Sequence, residues 1–141
     1  MARTVYVNGR YLPYAQAAVR AIALGGRFDG ARVLDLFAGS GSLGLECLSR
    51  GAASARMIER DAGTLRLLRS NVEKLGAGER ARVVAADALS PRAWREPGGL
   101  RYSTIFLDPP YPMLRDGTTR KLVLDAATRL ADELLEKDGE I

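Results

Sequence analysis

The chain has 141 residues, 47% of them hydrophobic and 27% charged, which is the size and composition of a single globular domain. It carries 21 Lys and Arg against 17 Asp and Glu, and residues 122–141 hold only two of the basic groups but six of the acidic ones. One cysteine and no histidine exclude an internal disulfide, a Cys/His zinc cluster and every mechanism that depends on a histidine base, so we expect no metal.

The basic groups of residues 1–121 are nearly all arginines, whose planar fork suits phosphate. This balance is compatible with a nucleic-acid partner, although solvated helix faces explain the same charge. No apolar run approaches the ~20 residues that span a bilayer. The amino terminus also lacks the pattern of a secretory signal, so we expect a cytoplasmic protein.

Residues 1–27 are predicted to form an N-terminal hairpin and helix of uncertain origin. Residues 4–12 combine two short β-rich runs with Asn8-Gly9, which is a strong signal for a two-residue hairpin turn. Residues 14–24 are rich in alanine and end at two glycines, which predicts a helix with a glycine cap.

From residue 32 onwards, short apolar runs alternate with helical patterns. The runs predict four strands, at residues 33–37, 55–59, 82–86 and 103–107. We predict helices at residues 43–50, 62–75 and 118–136. Residues 90–99 are predicted to form a loop. Because strands that alternate with helices form parallel sheets, we predict an α/β fold, a three-layer Rossmann-like sandwich over residues 28–141.

Apolar residues at near-helical spacing assign the buried faces of two predicted helices. These residues are Leu65, Leu68, Val72 and Leu75 in one helix and Leu122, Ala126, Leu130 and Leu134 in the other. Asp138-Gly139 predicts a turn, and residues 140–141 look like the start of another strand. We therefore expect the domain to be truncated at its fifth strand, which would leave an open strand edge.

Four carboxylates fall at or near the carboxyl ends of the predicted strands, namely Asp35, Glu59, Asp87 and Asp108. In parallel α/β sheets, ligands bind at these ends, near the point where the strand order reverses. We therefore expect the four side chains to surround one ligand site.

The loop after the first strand fits the pattern G-x-G-x-x-G over residues 39–44, and Glu59 follows Gly39 by twenty residues. Between a strand and a helix this pattern favours a nucleotide site, since the glycines allow close approach and the acid accepts hydrogen bonds from ribose hydroxyls. A tight turn without a ligand is the alternative. Asp35 favours S-adenosylmethionine over NAD, because a carboxylate repels pyrophosphate and attracts a sulfonium or ammonium group.

Asp87 follows the third strand and would lie near the adenine of such a ligand. Its carboxylate can accept from the 6-amino group, and the backbone N–H of Ala88 can donate to a ring nitrogen. The alternative is that Asp87 only caps the end of the strand.

Asp108-Pro109-Pro110-Tyr111 follows the fourth strand. Each proline fixes φ and lacks an N–H, so the segment presents a carboxylate, a rigid carbonyl and an aromatic ring at one point. Asp108 and the Pro109 carbonyl would accept the hydrogens of an exocyclic amino group and orient its lone pair, while Tyr111 stacks on the base. A base within a duplex would first be flipped out. A turn that merely ends the strand is the alternative.

These motifs resemble the bacterial 16S ribosomal RNA guanine-N2 methyltransferases, which are class I S-adenosylmethionine-dependent enzymes with a DPPY motif. The likeness rests on DLFAGSGSLGLE (35–46), SRGA (49–52), ERD (59–61) and FLDPPY (106–111). It implies ribosomal RNA or a small-subunit assembly particle as partner and Asp108, Pro109, Pro110 and Tyr111 as the catalytic segment. The cofactor site that it implies consists of Asp35, Phe37, Gly39, Gly41, Glu59, Arg60, Asp87 and Ala88.

Two departures from the family keep other interpretations open. The family's basic N-terminal arm is not found here, and residues 5–13 look more like the opening hairpin of pyridoxal-phosphate aminotransferases. The family's sheet also has seven strands, two more than we expect to begin in this chain. A DNA adenine or cytosine amino-methyltransferase is one alternative, because it shares the DPPY motif. A truncated, non-catalytic nucleotide-binding domain is another, and a dehydrogenase is a more distant one.

Three lesser features complete the predictions. Cys47 is expected to be a small core residue. Trp94 is expected to anchor a loop rather than to meet RNA bases. Arg115, Arg120 and Lys121 lie beyond Tyr111, where they would either contact phosphates or remain solvated.

Overall fold

The computed structural model of the chain describes residues 28–140. The predicted hairpin and helix of residues 1–27 lie outside this part, as does Ile141. Among the described helices, none is both long enough and apolar enough to cross a membrane.

Strands and helices alternate along residues 28–140, with two helices between the last two strands. In chain order the elements are β1 (Arg32–Leu36), α1 (Ser42–Ser49), β2 (Ser54–Glu59), α2 (Ala62–Lys74), β3 (Ala81–Ala85), α3 (Pro91–Trp94), β4 (Tyr102–Leu107), α4 (Tyr111–Arg115), α5 (Gly117–Glu133) and β5 (Leu135–Glu140).

The strands form one parallel sheet in the order β3-β2-β1-β4-β5. β1 lies in the middle, where Asp35 is opposite Met57 of β2 on one side and Phe106 of β4 on the other. The strand order reverses between β1 and β4, which is the switch point at which α/β proteins bind ligands. The predicted α/β class and parallel sheet are confirmed.

Helices cover both faces of this sheet, because successive residues of each strand point to opposite sides. Leu34 and Leu36 of β1 belong to a buried cluster that includes side chains of α3 and α5, among them Trp94, Val123 and Leu130. Val33 belongs to a second cluster with side chains of α1 and α2, among them Leu43, Leu48 and Leu68. The three-layer arrangement follows from these two cores.

The predicted end of the last helix is wrong. α5 ends at Glu133 rather than at residue 136, and β5 runs through the turn predicted at residues 138–139. Leu134 and Leu135 are buried, and Leu135 pairs with Tyr102 of β4. Two consecutive apolar residues fit the end of a helix or the start of a strand equally well, and pairing with β4 decides between them.

Two leucines assigned to buried helix faces are exposed. Leu122 is 53% exposed, and its neighbour Val123 takes the core position together with Ala126 and Leu130. Leu75 is 68% exposed because it lies at the carboxyl-terminal cap of α2, beyond the helix's last turn. The remaining members of both predicted faces are buried.

The region predicted as a loop contains the short helix α3, which begins at Pro91. Trp94 at its end is buried, and its Nε1–H donates to the carbonyl of Ala88 at 2.7 Å, so the predicted loop anchor is confirmed. Cys47 is fully buried, as predicted for a core residue, and burial raises the pKa of its thiol.

Candidate active site

The carboxyl ends of four neighbouring strands open into a cleft of about 650 Å³. This volume lies within the range of small-molecule sites. Most of the predicted site residues line it, namely Phe37, Gly39, Glu59, Arg60, Asp87, Ala88, Asp108 and Pro110. The parallel sheet thus brings together the glycine loop after β1 and the Asp-Pro-Pro segment after β4.

Four predicted site residues do not line the cleft. Asp35, Gly41 and Pro109 are buried. Tyr111 lies at the start of α4 with 54% of its surface exposed. The residues meant to hold a cofactor therefore lie in or under the cleft, whereas the aromatic ring meant to hold a base lies outside its lining.

The loop after β1 turns through three residues with positive φ, namely Phe37 (62°), Gly39 (59°) and Gly41 (83°). At Gly41, which precedes α1, a Cβ atom would lie 2.3 Å from Cδ1 of Leu68, so the loop packs directly on α2. At Gly39 a Cβ atom would meet nothing within 4 Å. Phe37 adopts a backbone region that costs a bulky residue free energy and that is often found at functional sites.

Glu59 ties the end of β2 to the glycine loop. Its Oε2 accepts from the backbone N–H of Gly39 at 3.0 Å, and its Oε1 accepts from the N–H groups of Arg60 (2.9 Å) and Asp61 (3.0 Å). A carboxylate has about four lone-pair sites, so these three bonds leave capacity for a ligand hydroxyl. The side chain expected to contact a ribose therefore also fixes the loop.

Two further side chains hold this part of the cleft. Asp61 caps α2, because its Oδ2 accepts from the backbone N–H and the hydroxyl of Thr64, both at 2.8 Å, and these bonds lower the pKa of Asp61. The Asn71 amide donates to the carbonyl of Ser40 at 2.9 Å. The loop geometry is therefore set within the chain itself.

Asp35 is fully buried beside the cleft lining. Within residues 28–140, neither of its carboxyl oxygens has a hydrogen-bond partner. Burial raises its pKa to about 8, and the negative charges of Asp108 and Glu59 add to the shift. The N–H of Gly44 opposes the shift, although its geometry is too poor for a hydrogen bond. The carboxyl group of Asp35 therefore holds its proton more tightly than an ordinary aspartic acid does.

Asp87 lines the cleft and also organises the turn after β3. Its Oδ1 accepts from the N–H of Leu89 at 2.9 Å, and its carbonyl accepts from the N–H of Ser90 at 3.0 Å. The capping role that we kept as an alternative is therefore present, and the side chain still borders the cleft.

The segment after β4, Asp108-Pro109-Pro110-Tyr111, forms the other side of the cleft. Asp108 is half-buried and lines the cleft, Pro109 is buried, and exposed Pro110 precedes α4. The guanidinium carbon of Arg115 lies 5.3 Å from the centroid of the Tyr111 ring. Two prolines and a cation–π contact therefore contribute to the shape of this side of the cleft.

Several lining residues escaped the sequence reasoning, among them Ile58, Thr64, Met113, Thr119 and Leu122. Thr119 could have been suspected, because Asp116 three residues earlier is a helix-capping residue, and its carboxylate does accept from the Thr119 N–H. Leu122 carries no local signal, since it lines the cleft from an exposed helix position.

The side chains around the cleft suit a ligand with an aromatic ring, hydroxyls and a positive charge. Phe37, Ile58 and Leu89 supply apolar surface, while Glu59 and Asp87 supply acceptors. The buried carboxyl of Asp35, which has no hydrogen-bond partner within residues 28–140, would be stabilised as an anion by a cationic group. S-adenosylmethionine has all three of these features, so the residues present fit it.

The family model described as "Conserved hypothetical protein 95" matches residues 18–140. The chain is 42% identical over 123 residues to "Putative rRNA methyltransferase YlbH" of Bacillus subtilis, covering 84% of this chain and 61% of that protein. It is 43% identical over 107 residues to "Ribosomal RNA small subunit methyltransferase D" of Escherichia coli K12, covering 74% of this chain and 50% of that protein. The chain thus spans about half to three-fifths of the length of these relatives.

Solved structures agree with the sequence matches. The structure named "Putative methyltransferase yhhF from Escherichia coli" superposes with a TM-score of 0.66 at 32% identity, covering 93% of this chain and 66% of that one. A conserved hypothetical protein of Streptococcus pyogenes gives a TM-score of 0.65 at 32% identity, covering 84% and 69% respectively. The motifs, the fold and these matches show that the chain belongs to the conserved hypothetical protein 95 family and is a relative of ribosomal RNA small subunit methyltransferase D.

Proposed function

We propose that this chain, with residues 28–141 as its catalytic domain, belongs to an S-adenosylmethionine-dependent methyltransferase that acts on the exocyclic 2-amino group of a guanine in 16S ribosomal RNA. One observation carries the proposal: Gly39, Glu59 and Asp108 line the same cleft. The relatives named as ribosomal RNA methyltransferases support RNA as the substrate.

The cofactor side of the proposed site follows from the buried and hydrogen-bonded groups. S-adenosylmethionine supplies a methyl group on a positively charged sulfur. Asp35, Phe37, Gly39 and Gly41 hold its methionine part, and Asp35 becomes ionised as the cation approaches. Around the nucleoside, Glu59 accepts from the ribose hydroxyls and Arg60 borders them, while Asp87 and the N–H of Ala88 recognise the adenine.

The substrate side is formed by the segment after β4. Asp108 and the carbonyl of Pro109 accept the two N–H hydrogens of the target amino group, which turns the nitrogen lone pair towards the methyl group. The nitrogen loses one proton as it gains the methyl group, and Asp108 is the carboxylate that takes this proton. Pro110 borders the base, and Tyr111 stacks on it.

Rate acceleration in this proposal comes from alignment and from fixed dipoles. The amino group of a planar base is a poor nucleophile, because its lone pair is delocalised into the ring. Two acceptors held by prolines direct that lone pair without any reorganisation at the moment of reaction. No histidine is needed, in agreement with the composition of the chain.

Transfer of tritiated methyl groups tests the proposal most broadly. The chain is incubated with labelled S-adenosylmethionine and, separately, with 16S ribosomal RNA, small-subunit assembly particles and duplex DNA, and the product nucleosides are then identified. We expect N2-methylguanosine from the RNA or the particles. Methyl transfer only to adenine or cytosine of DNA would overturn the RNA assignment. Cofactor binding by a folded chain with no transfer to any substrate would instead indicate a non-catalytic domain.

A further inference from the structure

Tyr111 and Arg115 form an exposed pair in α4, next to residues that line the cleft. They lie one turn apart in α4, with the guanidinium carbon 5.3 Å from the ring centroid. The preceding residue Pro110 lines the cleft, whereas Tyr111 and Arg115 do not. The pair therefore lies beside lining residues and outside the cleft lining itself.

Within residues 28–140, no carboxylate forms an ion pair with Arg115. The adjacent acid, Asp116, caps α5, where its Oδ2 accepts from the backbone N–H (2.8 Å) and the hydroxyl (2.6 Å) of Thr119. These bonds hold the Asp116 carboxylate at the start of α5. Among residues 28–140, the positive charge of Arg115 is therefore not compensated by an ion pair.

A second arginine–aromatic pair in the described residues differs from the first in the exposure of its ring and in the pairing of its arginine. Arg129 lies 5.7 Å from the ring centroid of Trp94, which is 2% exposed. Arg129 is also ion-paired with Glu133 at 3.0 Å. One pair thus has a buried ring and a neutralised charge, and the other has an exposed ring and an uncompensated charge.

An exposed aromatic ring with an uncompensated arginine has the chemistry to contact a nucleotide. A guanidinium that lies over a ring keeps N–H donors at its edge, in the fork geometry that matches a phosphate. An exposed aromatic face can stack on a base, and such stacking does not depend on sequence. The two groups together offer one contact to a base and one to the backbone.

We propose that Arg115 is a positioning residue for the nucleic-acid substrate, which holds the Tyr111 ring in place for stacking and contacts a backbone phosphate of the strand that enters the cleft. This inference rests on the proposed function. It adds a residue that acts on substrate binding and has no part in holding the cofactor.

The test compares Arg115→Ala, Arg115→Lys and the matched control Arg129→Ala. Binding of a fluorescein-labelled fragment of 16S ribosomal RNA is followed by anisotropy over a range of salt concentrations. We expect Arg115→Ala to weaken RNA binding about tenfold, since a charge-assisted contact is lost. The slope of log K against log salt should fall by about 0.7 for one lost phosphate contact. The affinity for S-adenosylmethionine, measured by calorimetry, should not change.

Arg115→Lys should keep the salt slope, because the charge remains, while recovering only part of the affinity, because the planar fork is lost. Arg129→Ala should bind RNA like the wild type. The inference is overturned if Arg115→Ala keeps the wild-type RNA affinity and salt slope. It is also overturned if Arg129→Ala loses as much RNA affinity as Arg115→Ala, or if the wild-type chain binds no RNA. RNA binding that depends on Arg115, without any methyl transfer by the wild type, would overturn the proposed function but not this role.

Discussion

The two sides of the cleft are held by different means. On the side built after β1 and β2, Glu59 accepts from three backbone N–H groups and Asn71 holds the carbonyl of Ser40. On the side built after β4, Tyr111 is more than half exposed and is contacted by Arg115. The first side is fixed by hydrogen bonds within the chain, whereas the second, the open side, presents the exposed ring of Tyr111 to solvent.

The largest expected effect tests whether Asp108 belongs to the open side. Asp108→Asn should lower turnover about 100- to 1,000-fold, because one acceptor for the target amino group becomes a poor one. The affinity for S-adenosylmethionine should change by less than about threefold, which is under 1 kcal/mol. Single-turnover methyl transfer and calorimetry measure the two quantities separately. If turnover and the affinity for S-adenosylmethionine fall together, Asp108 holds the cofactor. The proposed difference between the two sides of the cleft would then be wrong.

Two glycines of the fixed side offer a matched pair of variants. Gly41→Ala should lower the free energy of unfolding by about 3 kcal/mol, because positive φ is combined with a clash against Leu68. Gly39→Ala should cost only about 1 kcal/mol, because it has the positive φ without a steric neighbour. Urea unfolding of both variants gives the difference. Equal losses would show that the loop does not pack on α2.

The raised pKa of Asp35 predicts that the stability of the chain depends on pH. Its pKa is about 8 in the folded chain against an ordinary value of 3.8, so between these pH values the folded state holds a proton that the unfolded state has lost. The free energy of unfolding should therefore fall as the pH rises from about 4 to about 8, by at most ~1.4 kcal/mol per pH unit, and then level off.

The variant Asp35→Asn isolates this contribution, because other carboxylates titrate in both proteins. The difference in unfolding free energy between the wild type and Asp35→Asn should slope over this pH window. A flat difference curve would mean that Asp35 is ionised in the folded chain at neutral pH.

The smallest expected effect on function concerns Glu59. Glu59→Gln removes one of the two acceptor oxygens that organise the loop, and we expect binding of S-adenosylmethionine to weaken about tenfold, which is ~1.4 kcal/mol. Turnover at saturating cofactor should remain near that of the wild type. Glu46→Gln is the control, since Glu46 of α1 forms an ion pair with exposed Arg50, which follows the helix. If calorimetry shows the same loss of S-adenosylmethionine affinity in both variants, Glu59 has no specific role in cofactor binding.

The meeting of Gly39 and Asp108 was predictable from the sequence, because both follow strands of a parallel sheet and such ends lie at one edge. The site residues that could be predicted are those that lie near or just after the end of a strand. Thr119 and Leu122 reach the cleft from α5, and their position depends on how the chain turns after Pro110. No local pattern encodes that turn.

A repeating pattern of apolar residues predicted most of the buried helix positions, but not all of them. Val72 and Leu130 lie on periodic faces and are buried, whereas Leu75 and Leu122 fit the same period and are exposed. The raised pKa of Asp35 could not be predicted for a related reason. It depends on complete burial and on the charges of Asp108 and Glu59, which lie at the ends of other strands.

The central claim is that a positively charged methyl donor binds where the ends of β1, β2 and β4 meet. An NMR titration of the ¹⁵N-labelled chain with S-adenosylmethionine tests this directly. The account predicts saturable shifts of the amide signals of Gly39, Arg60 and Asp108 with one common dissociation constant, while Gly51, before β2 at the other end of the sheet, stays unchanged. A folded spectrum that does not respond, or that shifts at Gly51 but not at Gly39 and Asp108, would contradict it.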